Sequence, residues 1–358
     1  DEIVELSAYM AERLNRTTGP TCFIIPMRGW SAYDQSEEIA TRDRGWAEGN
    51  GDGPVWEPDE KYPRWSRRAT LMWKELHERL DPEKVDVVTI ATTSWVKKQL
   101  PDLKAIISAG INVVSIAEEM AAPEAQNPEE AAELDALAKE HGVSAIGVGV
   151  NPGFVLDHLV VVLTAGSQEV TSIEASRVND LSPYGQTVLS TQGVGTTPEE
   201  FKAGVADGSI VGHVGFPESV RLISDALGLG VDRVEQTLEP IIAKVPRQAR
   251  DRVIEPGKVA GCNHIAIGYR GDEEIIKLIH PQQVDPGAEG VDTGDYITIH
   301  GVPEISMSTG PEIAGGKATA GIAVNTIPRI FAATPGLKRI IDLPSPTALM
   351  GPEAYERR

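Results

Sequence analysis

The sequence predicts an α/β region built on a parallel sheet, followed by a larger α+β region with a mixed sheet. Between residues 86 and 157, short continuous apolar runs alternate with helical patterns, as expected for parallel strands buried on both faces. Beyond residue 157, longer runs rich in β-branched residues indicate further sheet strands. The chain of 358 residues, with 41% hydrophobic and 24% charged residues, is long enough for two or three domains.

The overall charge and hydrophobicity argue against two classes of partner. A formal net charge of −20 disfavours nucleic acid, which binds to clustered Lys and Arg. No apolar run approaches the ~20 residues of a membrane helix. The first ten residues, DEIVELSAYM, lack the basic and apolar regions of a secretory signal. We therefore expect a cytoplasmic protein with no membrane partner. Cys22 and Cys262 lie far apart in sequence and are predicted to be buried structural thiols.

Residues 1–80 predict an atypical N-terminal α/β segment. Helical spacing over residues 5–15 precedes a strand over Thr21–Pro26, and an apolar stripe predicts a helix over Tyr62–Leu80. Between them, residues 36–61 are rich in Gly, Pro and charged residues, which predicts a long loop. The stretch GPTCFIIPMRGWSAYD, with the loop and helix after it, resembles the C-terminal part of the tobamovirus-inhibitor-like ATP-binding family.

Residues 81–150 predict strands and helices in alternation. DVVTIAT is a buried strand, SWVKKQLPDLKAIISAG is a helix closed by Gly110, and INVVSIAEE is a second strand, which together form a βαβ unit. A helix over Glu130–His141 then leads to a third strand over Val143–Val150. Open parallel sheets bind ligands at the carboxyl ends of their strands. We therefore expect the binding site at this edge of the sheet.

Three sets of polar residues follow these strands. Thr92, Thr93 and Ser94 end the first strand and are candidates for contact with a nucleotide cofactor. Glu118 and Glu119 end the second strand and are predicted to face the same crevice. Asn151 ends the third strand, in an Asn-Pro-Gly turn where the chain changes direction, and is a candidate for substrate binding.

Residues 151–312 predict the α+β region, and residues 313–358 a final helix and tail that return to the first sheet. LDHLVVVLTAG is a helix, and VTSIEASRVND is a strand. Thr197, followed by Pro-Glu-Glu, is a good helix start. Further predicted elements are a helix over Phe216–Leu227, a strand-like or helical segment over Glu235–Ile242, antiparallel strands over Lys258–Tyr269, Glu273–Ile279 and Asp295–His300, and a last helix over Gly321–Ala332 that Pro328 breaks.

Arg177 and Asn179 lie two residues apart on a predicted strand, so their side chains share one face. The guanidinium of Arg177 suits a substrate carboxylate, although an ion pair with Asp180 is an alternative. His213 and His280 are candidate pocket residues that could donate hydrogen bonds to a carboxylate or hold an amine, and His264 is a weaker candidate. A packed core position is the alternative for each histidine. No metal site is predicted, because no compact set of His and acidic residues is present.

Several long sequence blocks occur in the order found in one enzyme family. SIAEEMAAPEA, GVNPGFVLD, ASRVNDLSPYG, TQGVGTTPEEF, VGHVGFPES, VAGCNHIAIGY, HPQQV and TGDYI resemble the 2,4-diaminopentanoate dehydrogenases and native amine dehydrogenases, over residues 84–350. The resemblance implies a Rossmann-like domain joined to a dihydrodipicolinate-reductase-like mixed-sheet domain, which binds the substrate and forms a homodimer. It also implies oxidative deamination of an amine to a ketone, with release of ammonia and with NAD or NADP as cofactor.

The resemblance favours one of the adjacent acids, Glu118 and Glu119, as the catalytic acid/base. Because adjacent strand residues point to opposite faces, only one can face the substrate, and we predict Glu119. The sequence departs from the family in residues 1–85, which contain no G-x-G-x-x-G turn, so the first half of the nucleotide domain is atypical. The alternative function is therefore a catalytically silent nucleotide-binding or assembly module.

Overall fold

The computed structural model describes Ala8, Glu12 and residues 85–350, apart from Asp251 and Leu349. The predictions for the N-terminal segment 1–80, including Cys22, and for the end of the tail lie outside the described residues. The helices are α1 (Val96–Ser108), α2 (Pro128–Glu140), α3 (His158–Leu163), α4 (Gln186–Thr191), α5 (Pro198–Asp207), α6 (Phe216–Leu227) and α7 (Gly315–Phe331). The strands are β1 (Val87–Ile90), β2 (Asn112–Ser115), β3 (Ser144–Gly147), β4 (Glu169–Asp180), β5 (Arg233–Ile242), β6 (Arg247–Gln248), β7 (Val253–Ile254), β8 (Val259–Arg270), β9 (Glu273–Gln283), β10 (Gly294–Val302), β11 (Ile305–Thr309) and β12 (Gly336–Lys338).

The first sheet is parallel and has the order β1-β2-β3-β12. The predicted strands and helices between residues 86 and 150 are present, and each strand is shorter than predicted. β2 ends at Ser115, and Glu118 and Glu119 lie in a separate 3-10 helix, Glu118–Ala121. The prediction that these two acids lie on a strand is therefore wrong. β12 adds the C-terminal part of the chain to this sheet beside β3.

The second sheet has six strands in the order β11-β10-β4-β9-β8-β5. Its neighbouring strands are antiparallel except for β4 and β9, which run parallel. The segment 235–242, for which strand and helix were both open, is part of strand β5. The predicted fold class, a Rossmann-like parallel sheet joined to a mixed-sheet region, is confirmed.

Local signals define two helices well, and a third differs from the prediction. α6 covers the predicted residues and is followed by Gly228 in a left-handed conformation. Thr197 and Glu200 form a reciprocal capping box at the start of α5, as their spacing predicts. The last helix, α7, continues through Pro328 to Phe331, so the predicted break is wrong. The buried side chains of Thr326, Ile327 and Ile330 keep this last part of the helix packed.

One cluster of buried apolar side chains joins the two sheets. It includes Val114 and Ile146 from the parallel sheet, and Ile173, Leu278 and Ile297 from the mixed sheet. α7 packs on β2 and β3, whereas α3 and α6 pack on strands of the mixed sheet. Because this core is shared, the two sheets are held against each other. None of the helices in the described part of the chain is long and apolar enough to cross a membrane.

Candidate active site

The inner face of the mixed sheet changes from apolar to polar along its strands. One row consists of Ala266, Leu278, Ala175 and Ile297 on β8, β9, β4 and β10. Two residues further along, the corresponding row consists of His264, His280, Arg177 and Asp295. The next row contains Cys262, Gln282 and Asn179. Side chains alternate between the faces of a strand, so these polar groups all lie on the same face.

Arg177 is fixed at the centre of this polar face. Its side chain is buried, with one guanidinium nitrogen 2.6 Å from Oδ1 of Asp295 and the other donating to the carbonyl of Ile313. The alternative ion pair with Asp180 is therefore wrong, since the partner comes from the neighbouring strand β10. Asp180 accepts hydrogen bonds from Ser182 and from the amide of Asp285 instead. Arg177 thus presents a positive charge of fixed orientation.

His280 is the most unusual group on this face. It is 4% exposed, and neither ring nitrogen has a hydrogen-bond partner among the residues that the structure describes. Its ring centroid lies 4.8 Å from that of His213, with the rings edge to face. The side-chain oxygens of Asn151 and Asn179 are also buried, with no partners in the described part of the chain. Unpaired buried polar groups are costly, so this group of atoms is suited to hydrogen-bonding a polar ligand.

All three histidines are held in their neutral form. Burial, with His264 and Arg177 nearby, lowers the pKa of His213 to about 3. Burial lowers the pKa of His264 to about 4 and places that of His280 well below its ordinary value. Desolvation disfavours the imidazolium form, and the positive charge of Arg177 adds to this effect for His213 and His280. Neutral imidazoles next to Arg177 can accept hydrogen bonds from an amine.

The Asn-Pro-Gly turn brings Asn151 to this face. The side-chain nitrogen Nδ2 of Asn151 lies 3.2 Å from Nε2 of His213. Asp157 holds the turn: its buried carboxylate accepts from the amide of Gly153 at 2.7 Å and from the hydroxyl of Ser219 at 2.8 Å. The turn thus connects the edge of the parallel sheet to α6, which carries Ser219.

The two adjacent acids have different environments. Glu119 is buried, and Oε2 accepts from the amide of Val96 at 2.7 Å and from the side chain of Asn127 at 3.1 Å. It therefore caps the first turn of α1. Glu118 is half-buried beside the Ser94 side chain, and burial raises its pKa.

Glu118 lies where the two sheets meet. A methyl group placed on Gly215 would be 3.4 Å from Cβ of Glu118 and 2.5 Å from Cδ of Pro152. Pro152 follows Asn151, and Gly215 lies two residues after His213. Glu118 therefore borders both chain segments that bring polar side chains to the mixed sheet.

Thr92, Thr93 and Ser94 form the turn after β1. The hydroxyl of Thr92 accepts from the side chain of Gln99, and that of Thr93 from the amide of Trp95, both at 3.4 Å. The carbonyl of Ser94 accepts from the amide of Glu119 at 3.2 Å. The structure therefore brings this turn together with the two acids at the edge of the parallel sheet.

Comparisons with known proteins relate this chain to one enzyme family. Residues 154–357 match the model of the 2,4-diaminopentanoate dehydrogenase C-terminal domain. A 2,4-diaminopentanoate dehydrogenase from Acetoanaerobium sticklandii is 45% identical over 290 residues, which cover 81% of this chain and 82% of the relative. The chain belongs to the 2,4-diaminopentanoate dehydrogenase family. The family resemblance seen in the sequence is confirmed, as is the prediction of an oxidoreductase of the amine dehydrogenase class.

Two amine dehydrogenases are more distant relatives. One from Streptomyces virginiae is 26% identical over 277 residues, which cover 68% of this chain and 73% of the relative. The solved structure of an amine dehydrogenase from Mycobacterium smegmatis has a TM-score of 0.69 at 22% identity, and the match covers 96% of this chain and 94% of that chain. The two proteins therefore share a fold.

Sequence reasoning missed four polar residues in and around this candidate site. Asp295 pairs with Arg177, Thr319 accepts from the amide of Val150 at 3.1 Å, and Gln192 lies beneath the His213 loop. Glu218, at the start of α6, is fully buried, and burial raises its pKa to about 7. Only Asp295 carries a usable local signal, because it is an acid at an inward position of an apolar strand.

Proposed function

We propose that this chain catalyses the NAD(P)-dependent oxidative deamination of 2,4-diaminopentanoate or a closely similar diamino acid. The reaction converts the substrate ammonium, water and oxidised cofactor into a ketone, ammonium, reduced cofactor and a proton. The observation that carries the proposal is the group of neutral histidines and unpaired amide oxygens around Arg177, together with the half-buried acid Glu118 beside Gly215. A cation together with several neutral acceptors suits a substrate that carries both a carboxylate and amines.

We propose Glu118 as the catalytic acid/base in place of Glu119. The carboxylate of Glu119 already accepts two hydrogen bonds from the protein, and its environment is that of a helix cap. Burial raises the pKa of Glu118, which makes its carboxylate a stronger base. Glu118 would take the proton from the substrate ammonium, since loss of hydride requires a neutral amine. Hydride loss from that amine leaves an iminium ion. Once Glu118 has released its proton to solvent, its carboxylate would remove a proton from the water that attacks the iminium carbon.

We propose that Arg177, Asn179 and His280 bind the substrate carboxylate and that Asn151 and His213 hold the amine. Arg177 and Asn179 share one face of β4, and His280 lies beside Arg177 on β9. An ion pair with Asp295 fixes the guanidinium, so binding would not require it to reorganise. Nε2 of His213 faces the side-chain nitrogen of Asn151 as its acceptor, so the neutral ring would carry its proton on Nδ1 and donate it to the neutral amine. The side-chain oxygen of Asn151, which has no partner among the described residues, would accept from the amine.

We propose that the nicotinamide cofactor lies at the carboxyl edge of the parallel sheet. The turn after β1 offers half-buried hydroxyl groups on Thr92, Thr93 and Ser94 at the end of a strand where α/β sheets bind nucleotides. When bound, the cofactor supplies the acceptor for the hydride that leaves the carbon bearing the amine. Glu118, which lies between this edge and the polar face, would then be next to the reacting carbon.

The direct test is an absorbance assay for reduced cofactor with 2,4-diaminopentanoate and either NAD or NADP. We expect a substrate-dependent increase in absorbance with at least one cofactor. The absence of an increase with both cofactors, for protein shown to be folded by circular dichroism, would refute the proposal. Calorimetry with each cofactor tests the alternative of a silent assembly module, which predicts neither turnover nor tight binding.

A further inference from the structure

A single peptide group, between Gly212 and His213, is held from both sides by buried side chains. The carbonyl oxygen of Gly212 accepts from Nε2 of Gln192 at 2.8 Å. The amide of His213, on the other side of the same peptide bond, donates to Nδ1 of His264 at 3.0 Å. Because a peptide group is planar, fixing both of its polar atoms fixes the direction in which His213 leaves the backbone.

Gln192 is itself held rigidly. Its Oε1 accepts from the side-chain nitrogen of Gln282 at 3.1 Å and from the thiol of Cys262 at 3.0 Å. All three side chains are buried. If the carboxamide of Gln192 were flipped, its nitrogen would face the donors of Gln282 and Cys262. The Gly212 carbonyl would then be left unpaired, which is costly in a buried site. The carboxamide therefore has one favourable orientation.

Gly212 allows the loop to approach the sheet this closely. Its backbone has a φ of +63°, which favours glycine. A methyl group there would also lie 2.6 Å from Cδ1 of Leu238 and 2.9 Å from Nδ1 of His264. The loop at Gly212 is therefore packed directly against Leu238 and His264.

His264 contributes in its neutral form. Its Nδ1 accepts the amide proton of His213, so the ring proton lies on Nε2. Burial lowers the pKa of His264 to about 4, so this form persists across the neutral pH range. His264 is opposite His280 in the pairing of β8 with β9, and its hydrogen bond is directed to the loop backbone.

We infer that Gln192 and His264 are positioning residues, which orient His213 toward Asn151 and His280 without touching the substrate. The inference rests on the proposed function, because His213 is assigned there to the amine. It explains why three polar side chains, Gln192, Gln282 and Cys262, are buried together beneath this loop. It also gives His264 a role that differs from a place in the pocket.

The kinetic test compares Gln192→Met with a matched control, Ser224→Ala. Met has a similar length and cannot donate to the Gly212 carbonyl. Ser224→Ala removes another buried hydrogen bond to the backbone, the one from the amide of Val231, far along α6. We expect Gln192→Met to lower kcat/KM for the diamino acid about tenfold, the equivalent of ~1.4 kcal/mol for one hydrogen bond. The cofactor Kd should not change, and the control should have the wild-type kcat/KM.

A double mutant separates positioning from general damage. If Gln192 acts through His213, then Gln192→Met should have little further effect on kcat/KM in a His213→Ala background. A full additional loss in that background, or a wild-type kcat/KM for the folded single variant, would overturn the inference. If Gln192→Met does not fold, Gln192→Asn takes its place, since its shorter side chain stays polar and cannot reach the carbonyl.

A second readout does not depend on turnover. In NMR spectra of protein with 15N-labelled histidine, His264 should show the form protonated on Nε2 at neutral pH. Gln192→Met should shift the ring signals of His213 and leave those of the exposed His300 unchanged. Wild-type protein without turnover but with these spectra would refute the proposed function alone. Unchanged His213 signals in the variant would refute the positioning role, whatever the activity.

Discussion

The two adjacent glutamates differ in what they contact, and matched substitutions separate their roles. Glu118→Gln removes the proposed acid/base, so we expect kcat to fall about 10²- to 10⁴-fold with little change in stability. Glu119→Gln weakens the charged cap on the Val96 amide, so we expect a loss of about 1–2 kcal/mol in the free energy of unfolding and most of the turnover retained. Steady-state kinetics and urea unfolding of both variants test this. Loss of turnover in Glu119→Gln alone would instead support the prediction from the sequence, that Glu119 is the catalytic acid/base.

Glu218 should make stability depend on pH. One of its oxygens accepts from Gln126 at 2.9 Å, the other has no partner within the described ranges of the chain, and burial raises its pKa from 4.5 to about 7. Below 4.5, the carboxyl is protonated in both the folded and unfolded states. As the pH rises from there through 7, the unfolded state loses its proton more readily, so stability falls by about 3 kcal/mol.

Substitution of Glu218 by glutamine tests this dependence. Glu218→Gln mimics the protonated carboxyl at every pH, so its free energy of unfolding should not show that loss. Urea unfolding of the wild type and variant across this pH range gives the comparison. Glu169→Gln, which changes an exposed acid on β4, should show the same pH dependence of the free energy of unfolding as the wild type. Parallel curves for the wild type and Glu218→Gln would contradict the prediction.

At the scale of single residues, the sequence predicts which side chains share a face but not which ones pair. The two-residue period of a strand places Arg177 and Asn179 together, as the structure has them. The partner of Arg177 is Asp295, which is 118 residues away, and not the nearby Asp180. That partner depends on the order of strands in the sheet, which no local pattern encodes. The same holds for Gln192 and Gln282, which are 90 residues apart.

At the scale of elements, the acid-bearing 3-10 helix depends on close contact with β3. A methyl group on Gly147 would overlap the backbone of Met120, which lies in that helix. We therefore expect Gly147→Ala to displace the helix, lower kcat and reduce the free energy of unfolding by about 1–3 kcal/mol. Kinetics and urea unfolding are the measurements. As a control, Gly321→Ala in α7 adds a methyl group with no neighbour within 4 Å and should not lower stability.

The boundaries of the elements show why local patterns succeed or fail. α6 is predicted correctly because glycines in left-handed conformations, Gly215 and Gly228, lie immediately before and after it. The end of β2 is predicted four residues too late, because the apolar run continues through Ile116 and Ala117 after the pairing of β2 with β3 ends at Ser115. The end of a strand depends on its neighbour, so the sequence alone placed Glu118 and Glu119 on a strand, and the choice of Glu119 as the acid that faces the substrate rested on that placement.

At the scale of the whole molecule, one arginine connects distant parts of the chain. Arg339, just after β12, forms ion pairs with Glu124 at 2.9 Å and with Asp225 on α6 at 2.7 Å. It also pairs with the nearby Asp342. The chain segment that follows β12 therefore contacts both the segment after Glu118 and α6, the helix that carries Glu218. This contact adds to the shared apolar core in keeping the edge of the parallel sheet against the mixed sheet.

The outer face of the mixed sheet is where we propose that two copies of this chain associate. Ile265 and Ile279 are directly opposite each other on this face, half-buried in the single chain, and Tyr296 is 42% exposed. The apolar side chains at these outward positions suit association with the same positions of a second copy. A charge in the centre of that interface would be desolvated without a partner, so we expect Ile279→Glu to give a monomer.

Light scattering coupled to size-exclusion chromatography measures this change directly. The wild type should have the mass of a dimer at micromolar concentration, and Ile279→Glu that of one chain. Val162→Glu adds the same charge at an exposed position of α3, outside the mixed sheet, and should remain dimeric. A monomeric wild type would refute the dimer, whereas a dimeric Ile279→Glu would move the interface to another surface. Because Arg177 and His280 lie on the opposite face of the same strands, the monomer should retain substrate binding if the sheet stays folded.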